Sequence, residues 1–138
     1  MNKLRLVLLI DDNPADNFLH EMLLKDIGVA EQVDAVSNGQ EALDYIKACA
    51  GPEQLPELIC VDINMPIMDG WEFLDAYDRL PEQQKSGVVV MMISTTLNPS
   101  DMAAAEQRDS IAKFVRKPLT EESMRELLDT HFPGRFSS

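Results

Sequence analysis

The chain has 138 residues, a length that suits one compact domain. Hydrophobic residues make up 45% of it and charged residues 26%, a composition typical of a globular protein and not of a disordered chain. Lys and Arg number 12 against 24 Asp and Glu, and the resulting net charge of −12 disfavours binding to the phosphate backbone of nucleic acids. We therefore expect no direct contact with DNA or RNA.

The apolar runs are too short for a membrane protein. The longest early run, Leu6 to Ile10, falls far short of the roughly 20 residues that span a bilayer, and it lacks the cleavage pattern of a signal peptide. The two cysteines, Cys49 and Cys60, form no CxxC pair and have no neighbouring His at metal-ligand spacing, so neither a zinc site nor a disulfide framework is indicated. We expect a cytoplasmic protein with no membrane contact.

Short apolar runs alternate with longer helical patterns, which predicts βα units around a parallel sheet. Two of the runs are continuously apolar, as expected of central strands that are covered by helices on both faces. The predicted strands are Leu4–Ile10, Gln32–Val36, Leu58–Val61, Val88–Ile93 and Ala112–Val115.

The first helix is predicted to begin at Asn13-Pro14 and to end at Gly28. Asn caps helix N-termini, Pro is preorganised at the first helical position, and Gly favours a helix C-terminus. Apolar residues recur on one face, the pattern of an amphipathic helix. These residues are Phe18, Leu19, Met22 and Leu23.

Four more helices complete the pattern. The second begins after Asn38, the third spans about Trp71 to Leu80, the fourth begins at Asn98-Pro99, and Thr120 caps the fifth. Met102-Ala103-Ala104-Ala105 offers little bulky apolar surface, so we expect the fourth helix to be loosely attached. The inward residues predicted for the second and fifth helices are Ala42, Leu43, Ile46, Met124, Leu127 and Leu128. The pattern predicts one (βα)5 doubly wound α/β domain over residues 1–138, with a core of about 4–131 and a short C-terminal tail.

Acidic residues follow two of the predicted strands, at the place where ligands bind in such a fold. Asp11 and Asp12 follow the first strand, and Asp62 follows the third. Ionised carboxylates at neighbouring strand ends repel one another unless a cation shares the space. We expect Mg²⁺, with Asp12, Asp62 and the main-chain carbonyl of Asn64 as ligands and Asp11 acting directly or through water.

Phosphoryl chemistry is indicated by two further strand ends. A carboxylate beside Mg²⁺ can attack phosphorus, and Lys117 after the fifth strand is suited to neutralise the transferred oxygens. The hydroxyl of Ser94, after the fourth strand, can donate to a phosphoryl oxygen. Each residue alone has an ordinary explanation in turn or surface chemistry, but unrelated turns have no reason to assemble this set. His20, in contrast, is expected to be a solvated or hydrogen-bonded side chain and not a phosphoryl carrier.

Four segments of the chain resemble the receiver domains of two-component response regulators. They are Leu8–Pro14, Val61–Gly70, Val89–Thr95 and Phe114–Pro118, and the Asp-x-Asn-Met-Pro-x-Met-Asp-Gly stretch is highly specific. The resemblance covers essentially the whole chain. It implies the flavodoxin-like receiver fold and a Mg²⁺-dependent phosphoacceptor, for which Mn²⁺ is a substitute ion.

The resemblance also implies a role for each site residue. Asp62 would accept the phosphoryl group from a histidine kinase or phosphotransfer protein, and Lys117 would pair with that group. Ser94 would be the switch hydroxyl and Phe114 the aromatic partner that changes rotamer with it. The residues implied for Mg²⁺ are Asp11, Asp12, Asp62 and the Asn64 carbonyl.

Two features depart from the common pattern of this family. Thr95 stands where the family usually has Ala or Gly, so access to the phosphoryl group is expected to be narrower. The family usually joins its receiver to an output domain, and no such domain follows the fifth helix in this sequence. This predicts a stand-alone receiver whose output is a contact with a downstream protein. We expect that contact, or a homodimer, to use the face formed by the fourth helix, the fifth strand and the fifth helix.

Two other functions remain open at this point. A pseudo-receiver that only binds partners is disfavoured, because clustered carboxylates add no stability to an interaction domain. A phosphatase with an aspartyl nucleophile normally needs a second Asp two residues after the nucleophile, as an acid for the leaving group. Here that residue is Asn64. We therefore expect a phosphoacceptor that assists its own phosphorylation and dephosphorylation, and not an enzyme acting on external phosphoesters.

Overall fold

The computed structural model describes residues 3–63, 65–85, 87–93, 99, 103 and 111–132. Its strands form one parallel sheet in the order β2-β1-β3-β4-β5. They are β1 (Leu4–Ile10), β2 (Ala30–Val36), β3 (Leu58–Asp62), β4 (Val88–Ile93) and β5 (Ile111–Arg116). The predicted five-stranded α/β fold is confirmed, and β1 and β4 have the predicted bounds.

The helices are α1 (Pro14–Ile27), α2 (Gly39–Lys47), α3 (Gly70–Asp78) and α4 (Glu121–His131). The last of these is the helix predicted as the fifth. The helix predicted from Asn98 lies outside the described residues, apart from Pro99 and Ala103. None of the helices in the described part of the chain combines the length and apolar composition needed to cross a bilayer.

The predicted capping signals operate at the helix ends. The Asn13 side chain accepts hydrogen bonds from two backbone N–H groups of the first turn of α1, and Gly28 ends that helix at a φ of 69°. Asn38 and Thr120 cap α2 and α4 in the same way. These ends are therefore determined by local hydrogen bonding.

The sheet separates two hydrophobic cores. Alternate residues of β1 point to opposite faces, so Val7 and Leu9 lie in one core while Leu8 and Ile10 lie in the other. Helices α1 and α4 cover the first face, and α2 and α3 cover the second. The inward residues predicted for α2 and α4 are all buried.

The apolar face predicted for α1 is wrong for three of its four residues, and the fourth, Leu23, is partly buried against the core. Phe18 is 61% exposed, Leu19 55% and Met22 44%, whereas the buried residues of this helix are His20 and Leu24. Residues three or four apart lie on one side of a helix, and α1 carries apolar residues on more than one side. Only the side that meets the sheet can be buried, and the tertiary structure selects the side that carries His20.

Candidate functional site

Three carboxylates meet at the carboxyl ends of β1 and β3. The register pairs Ile10 with Val61, so Asp11 and Asp12 follow β1 beside Asp62, the last residue of β3. One carboxylate oxygen from each of the three lies within 4.8 Å of the others. Asp11 is 1% exposed and Asp62 3% exposed, whereas Asp12 is exposed. The predicted convergence is therefore present, with two buried carboxylates and one exposed carboxylate.

The start of α3 packs directly on the end of β3. The Gly70 N–H donates to the Ile63 carbonyl at 2.9 Å, and Asp69 and Glu72 form a capping box that begins the helix. A Cβ atom on Gly70 would lie 2.7 Å from the Asp62 carbonyl oxygen, so a side chain at this position would push the helix away. The glycine thus allows α3 to support the backbone that carries Asp62.

Lys117 places one ammonium group among the carboxylates. Its Nζ lies 2.6 Å from Asp11 Oδ2, 2.9 Å from Asp16 Oδ2 and 3.5 Å from Asp62 Oδ2. Burial acts to lower the pKa of Lys117, but hydrogen bonds to Asp11 and Asp16, together with the charge of Asp62, outweigh it and raise this pKa above its ordinary value. The ammonium therefore stays protonated near neutral pH, and among the described residues the carboxylates around it outnumber it.

Helix α1 contributes side chains that the sequence did not predict for the site. Asp16 accepts a hydrogen bond from Lys117, and Asn17 donates through Nδ2 to the Asp11 carbonyl at 2.9 Å. His20 is hydrogen-bonded, as predicted, but it is also buried, and its Nε2 accepts the Leu119 N–H at 3.2 Å. A signal was available, because Asp16 and His20 are four residues apart and so share one side of a helix.

Burial shifts the titration of His20. It lowers the pKa of the imidazole below its ordinary value, and the nearby Lys117 charge acts in the same direction. Asp11 and Asp16 raise this pKa but do not compensate for the burial. The side chain is therefore neutral at physiological pH, as an acceptor of a backbone hydrogen bond must be.

Some of the predicted site residues cannot be placed. Asn64, Ser94 and Thr95 lie outside the described residues, so their roles stay predictions. Phe114 is described: it is half-buried on β5, and its ring centroid lies 6.5 Å from that of Trp71 at a tilt of 48°. The aromatic residue implied as a switch therefore packs against the first turn of α3, next to the end of β3.

Comparisons with known proteins identify the family. The family model described as the response regulator receiver domain matches residues 7–129. The chain is 30% identical over 129 residues to the signal transduction histidine-protein kinase BarA of Escherichia coli (strain K12); the match covers 93% of this chain but only 13% of BarA.

Two solved structures are similar in both sequence and fold. The two-component response regulator from Cytophaga hutchinsonii is 33% identical with a TM-score of 0.79, covering 93% of this chain and 96% of that one. The response regulator receiver protein from Dyadobacter fermentans DSM 18053 is 31% identical with a TM-score of 0.82, covering 94% and 99%. On the family match and this shared fold, the chain belongs to the response regulator receiver domain family.

Proposed function

We propose that this chain is a phosphoacceptor in two-component signalling, which takes a phosphoryl group onto Asp62 from a histidine kinase or a phosphotransfer protein. The observation that carries the proposal is the surroundings of the buried Asp62 carboxylate. Oxygens of Asp11 and Asp12 lie within 4.8 Å of an Asp62 oxygen, and the Lys117 ammonium lies 3.5 Å from Asp62 Oδ2. Membership of the receiver family supports the same role.

A hard divalent cation fits the cluster. Its three side chains, from Asp11, Asp12 and Asp62, offer carboxylate oxygens, the ligands that Mg²⁺ and Mn²⁺ prefer. Two of the three are nearly inaccessible to water, so repulsion between them is weakly screened. We infer that these three residues hold Mg²⁺, with the main-chain carbonyl of Asn64 as a further ligand. When bound, the ion supplies positive charge to the oxygens of the transferred phosphoryl group.

The chain's own residues divide the remaining work. An Asp62 carboxylate oxygen attacks phosphorus, and the bond from phosphorus to the donor's leaving atom breaks as the new bond forms. Lys117 supplies a compact positive charge to the incoming oxygens. Its contacts with Asp11 and Asp16 hold the ammonium close to Asp62 before any phosphoryl group arrives.

Output follows from the new charge on Asp62. The Ser94 hydroxyl donates to a phosphoryl oxygen, and Phe114 turns inward in response. The downstream protein, or a second copy of the chain, then binds the face that β5 and α4 form with the helix predicted after Asn98. The half-buried position of Phe114 beside Trp71 supports this proposal, because a rotation of the Phe114 ring would require the Trp71 side chain to adjust.

The deciding experiment is incubation of the protein with Mg²⁺ and acetyl phosphate, followed by intact mass measurement and peptide mapping. We expect one Mg²⁺-dependent, acid-stable and base-labile phosphoryl adduct on Asp62. Asp62→Asn should abolish it, because an amide is a poor nucleophile. Asp26→Asn, which changes an exposed carboxylate of α1, is the matched control and should leave the adduct in place.

Three results would contradict the proposal. An adduct on another residue at the wild-type rate would mean that the nucleophile is wrong. Absence of any adduct would favour a pseudo-receiver that only binds partners. Steady release of phosphate from many phosphoesters would favour an aspartyl phosphatase.

A further inference from the structure

We propose that His20 is a positioning residue for Lys117: by holding the backbone just after Lys117 against α1, it keeps the ammonium beside Asp62. This inference rests on the proposed function, because the position of Lys117 matters for phosphorylation only if Asp62 is the phosphoacceptor. A kinetic test and an NMR test together distinguish failure of the His20 positioning role from failure of the phosphoacceptor role of Asp62.

The first support is a buried hydrogen bond between elements that are distant in sequence. His20 Nε2 accepts the Leu119 N–H at 3.2 Å, and the two residues are 2% and 5% exposed. Pro118 separates Leu119 from Lys117 and has no N–H to donate. The Leu119 N–H is therefore the first backbone donor after Lys117, and α1 provides its acceptor.

The second support is that α1 contacts the same segment a second time. Asp16 lies one helical turn before His20, and its carboxylate accepts from Lys117 Nζ at 2.9 Å. One side of α1 thus holds both the ammonium of Lys117 and the backbone two residues further along. If the His20 contact is lost, Asp16 still holds the Lys117 ammonium, but the backbone that follows Lys117 is no longer held against α1.

The third support is the chemistry of the imidazole. To accept at Nε2, a neutral His must carry its proton on Nδ1. That Nδ1 is buried and makes no hydrogen bond within the described part of the chain. A buried polar atom without a partner is costly, and Leu24, one turn further along α1, shows that an apolar residue is accommodated on this side of the helix. The acceptor at Nε2 is the property of His20 that an apolar residue cannot supply.

The kinetic test compares two variants in two backgrounds. His20→Leu fills the space but removes the acceptor, whereas His20→Gln restores an oxygen acceptor at a similar distance from the backbone. We expect His20→Leu to slow Mg²⁺-dependent phosphorylation of Asp62 by acetyl phosphate about tenfold, because small displacements of a charged group are costly, and His20→Gln to recover most of the rate. In a Lys117→Ala background, His20→Leu should have no additional effect.

Two kinetic outcomes overturn the inference. An unchanged rate in His20→Leu would show that the contact does not position Lys117. An equal reduction of the rate in the wild-type and Lys117→Ala backgrounds would show a general structural effect.

An NMR test of the unphosphorylated wild-type protein and its two His20 variants does not depend on phosphorylation. We expect the His20 nitrogens to show Nδ1 protonated and Nε2 unprotonated, with a Leu119 amide that is protected from exchange. We also expect a Lys117 ammonium signal that is lost in His20→Leu and retained in His20→Gln. A protonated Nε2, or a Lys117 signal unaffected by His20→Leu, would overturn the inference. If acetyl phosphate gives no adduct on the wild-type protein while these NMR results hold, the proposed function fails and the positioning by His20 stands.

Discussion

The charged side chains at the two ends of the sheet have different partners. At the amino ends of the strands, the backbone N–H of Arg5 donates to the Glu57 carboxylate at 2.6 Å, and its guanidinium donates to the Leu55 carbonyl at 2.9 Å. The backbone of Glu57 joins neighbouring segments through hydrogen bonds to Leu6 and Val88. These contacts of both charged side chains are with backbone groups of neighbouring segments, and they join those segments.

At the carboxyl ends, the charges of the described residues do not balance. The Lys117 ammonium lies within 4 Å of carboxylate oxygens of Asp11, Asp16 and Asp62, and Asp12 is the exposed member of the same cluster. Two of these carboxylates are buried, so their repulsion is only weakly screened. The difference teaches that hydrogen bonds at one end of this sheet join neighbouring segments, whereas the other end carries the excess of negative charge that the proposed cation and phosphoryl group would require.

Removing the Lys117 ammonium is expected to have the largest effect on the carboxyl end of the sheet. Lys117→Ala should slow phosphorylation of Asp62 about 100-fold, as the loss of one transition-state donor typically does. It should also lower the free energy of unfolding without metal by about 3 kcal/mol, because two buried carboxylates lose their cation. Saturating Mg²⁺ should recover part of that stability. Urea unfolding with and without Mg²⁺ measures the effect.

The matched control is Lys25→Ala, which removes an exposed lysine paired with Glu21 on the surface of α1. Exposed ion pairs contribute about 0–1 kcal/mol, so neither stability nor phosphorylation should change much. Equal effects of the two lysine variants would remove the distinction between the two ends of the sheet.

Removing an acid should have the opposite effect on stability in the absence of metal. Asp12→Ala takes one negative charge from the carboxylate cluster, so the metal-free protein should gain about 1 kcal/mol in unfolding free energy. The same change should weaken Mg²⁺ binding about tenfold, since a carboxylate ligand is lost. Isothermal titration calorimetry with Mg²⁺ measures the affinity. Equal affinities in the wild type and Asp12→Ala would refute the assignment of the metal site.

Disturbing the amino end should affect stability alone. Arg5→Ala removes the hydrogen bond from the guanidinium to the Leu55 carbonyl, and we expect a loss of about 1 kcal/mol in unfolding free energy, the same with and without Mg²⁺. Mg²⁺ affinity and the rate of Asp62 phosphorylation should not change. A reduced phosphorylation rate would show that the two ends are coupled through the strands.

A smaller effect is expected from pH, through His20. Its pKa in the folded protein lies below the ordinary value of 6.5, so the unfolded chain binds a proton first as the pH falls. Stability should therefore be highest above pH 6.5 and decrease as the pH falls from there towards the pKa of the folded state. Comparing wild type with His20→Gln between about pH 8 and pH 5 isolates this contribution. If the difference in unfolding free energy between the wild type and His20→Gln does not vary with pH, the predicted contribution of His20 is wrong.

Much of the fold follows from local chemistry in the sequence. The bounds predicted for β1 and β4 around their apolar runs are those of the structure, and Asn13, Asn38 and Thr120 cap helices where the sequence predicts. The acids after β1 and β3 could be assigned to one edge because parallel strands end on the same side. Each of these predictions depends on a few neighbouring residues, and so the sequence was sufficient for them.

Contacts between distant segments could not be obtained in this way. Asp16 and Lys117 are 101 residues apart, and His20 and Leu119 are 99 apart, yet each pair forms a hydrogen bond. Helix α1 has apolar residues on more than one side, so its pattern did not show that the side carrying His20 would face the sheet. That choice depends on the packing of α1 and α4 over the same face of the sheet, which brings α1 against the segment after β5. A buried position is a property of the assembled layers, and only the tertiary structure could decide it.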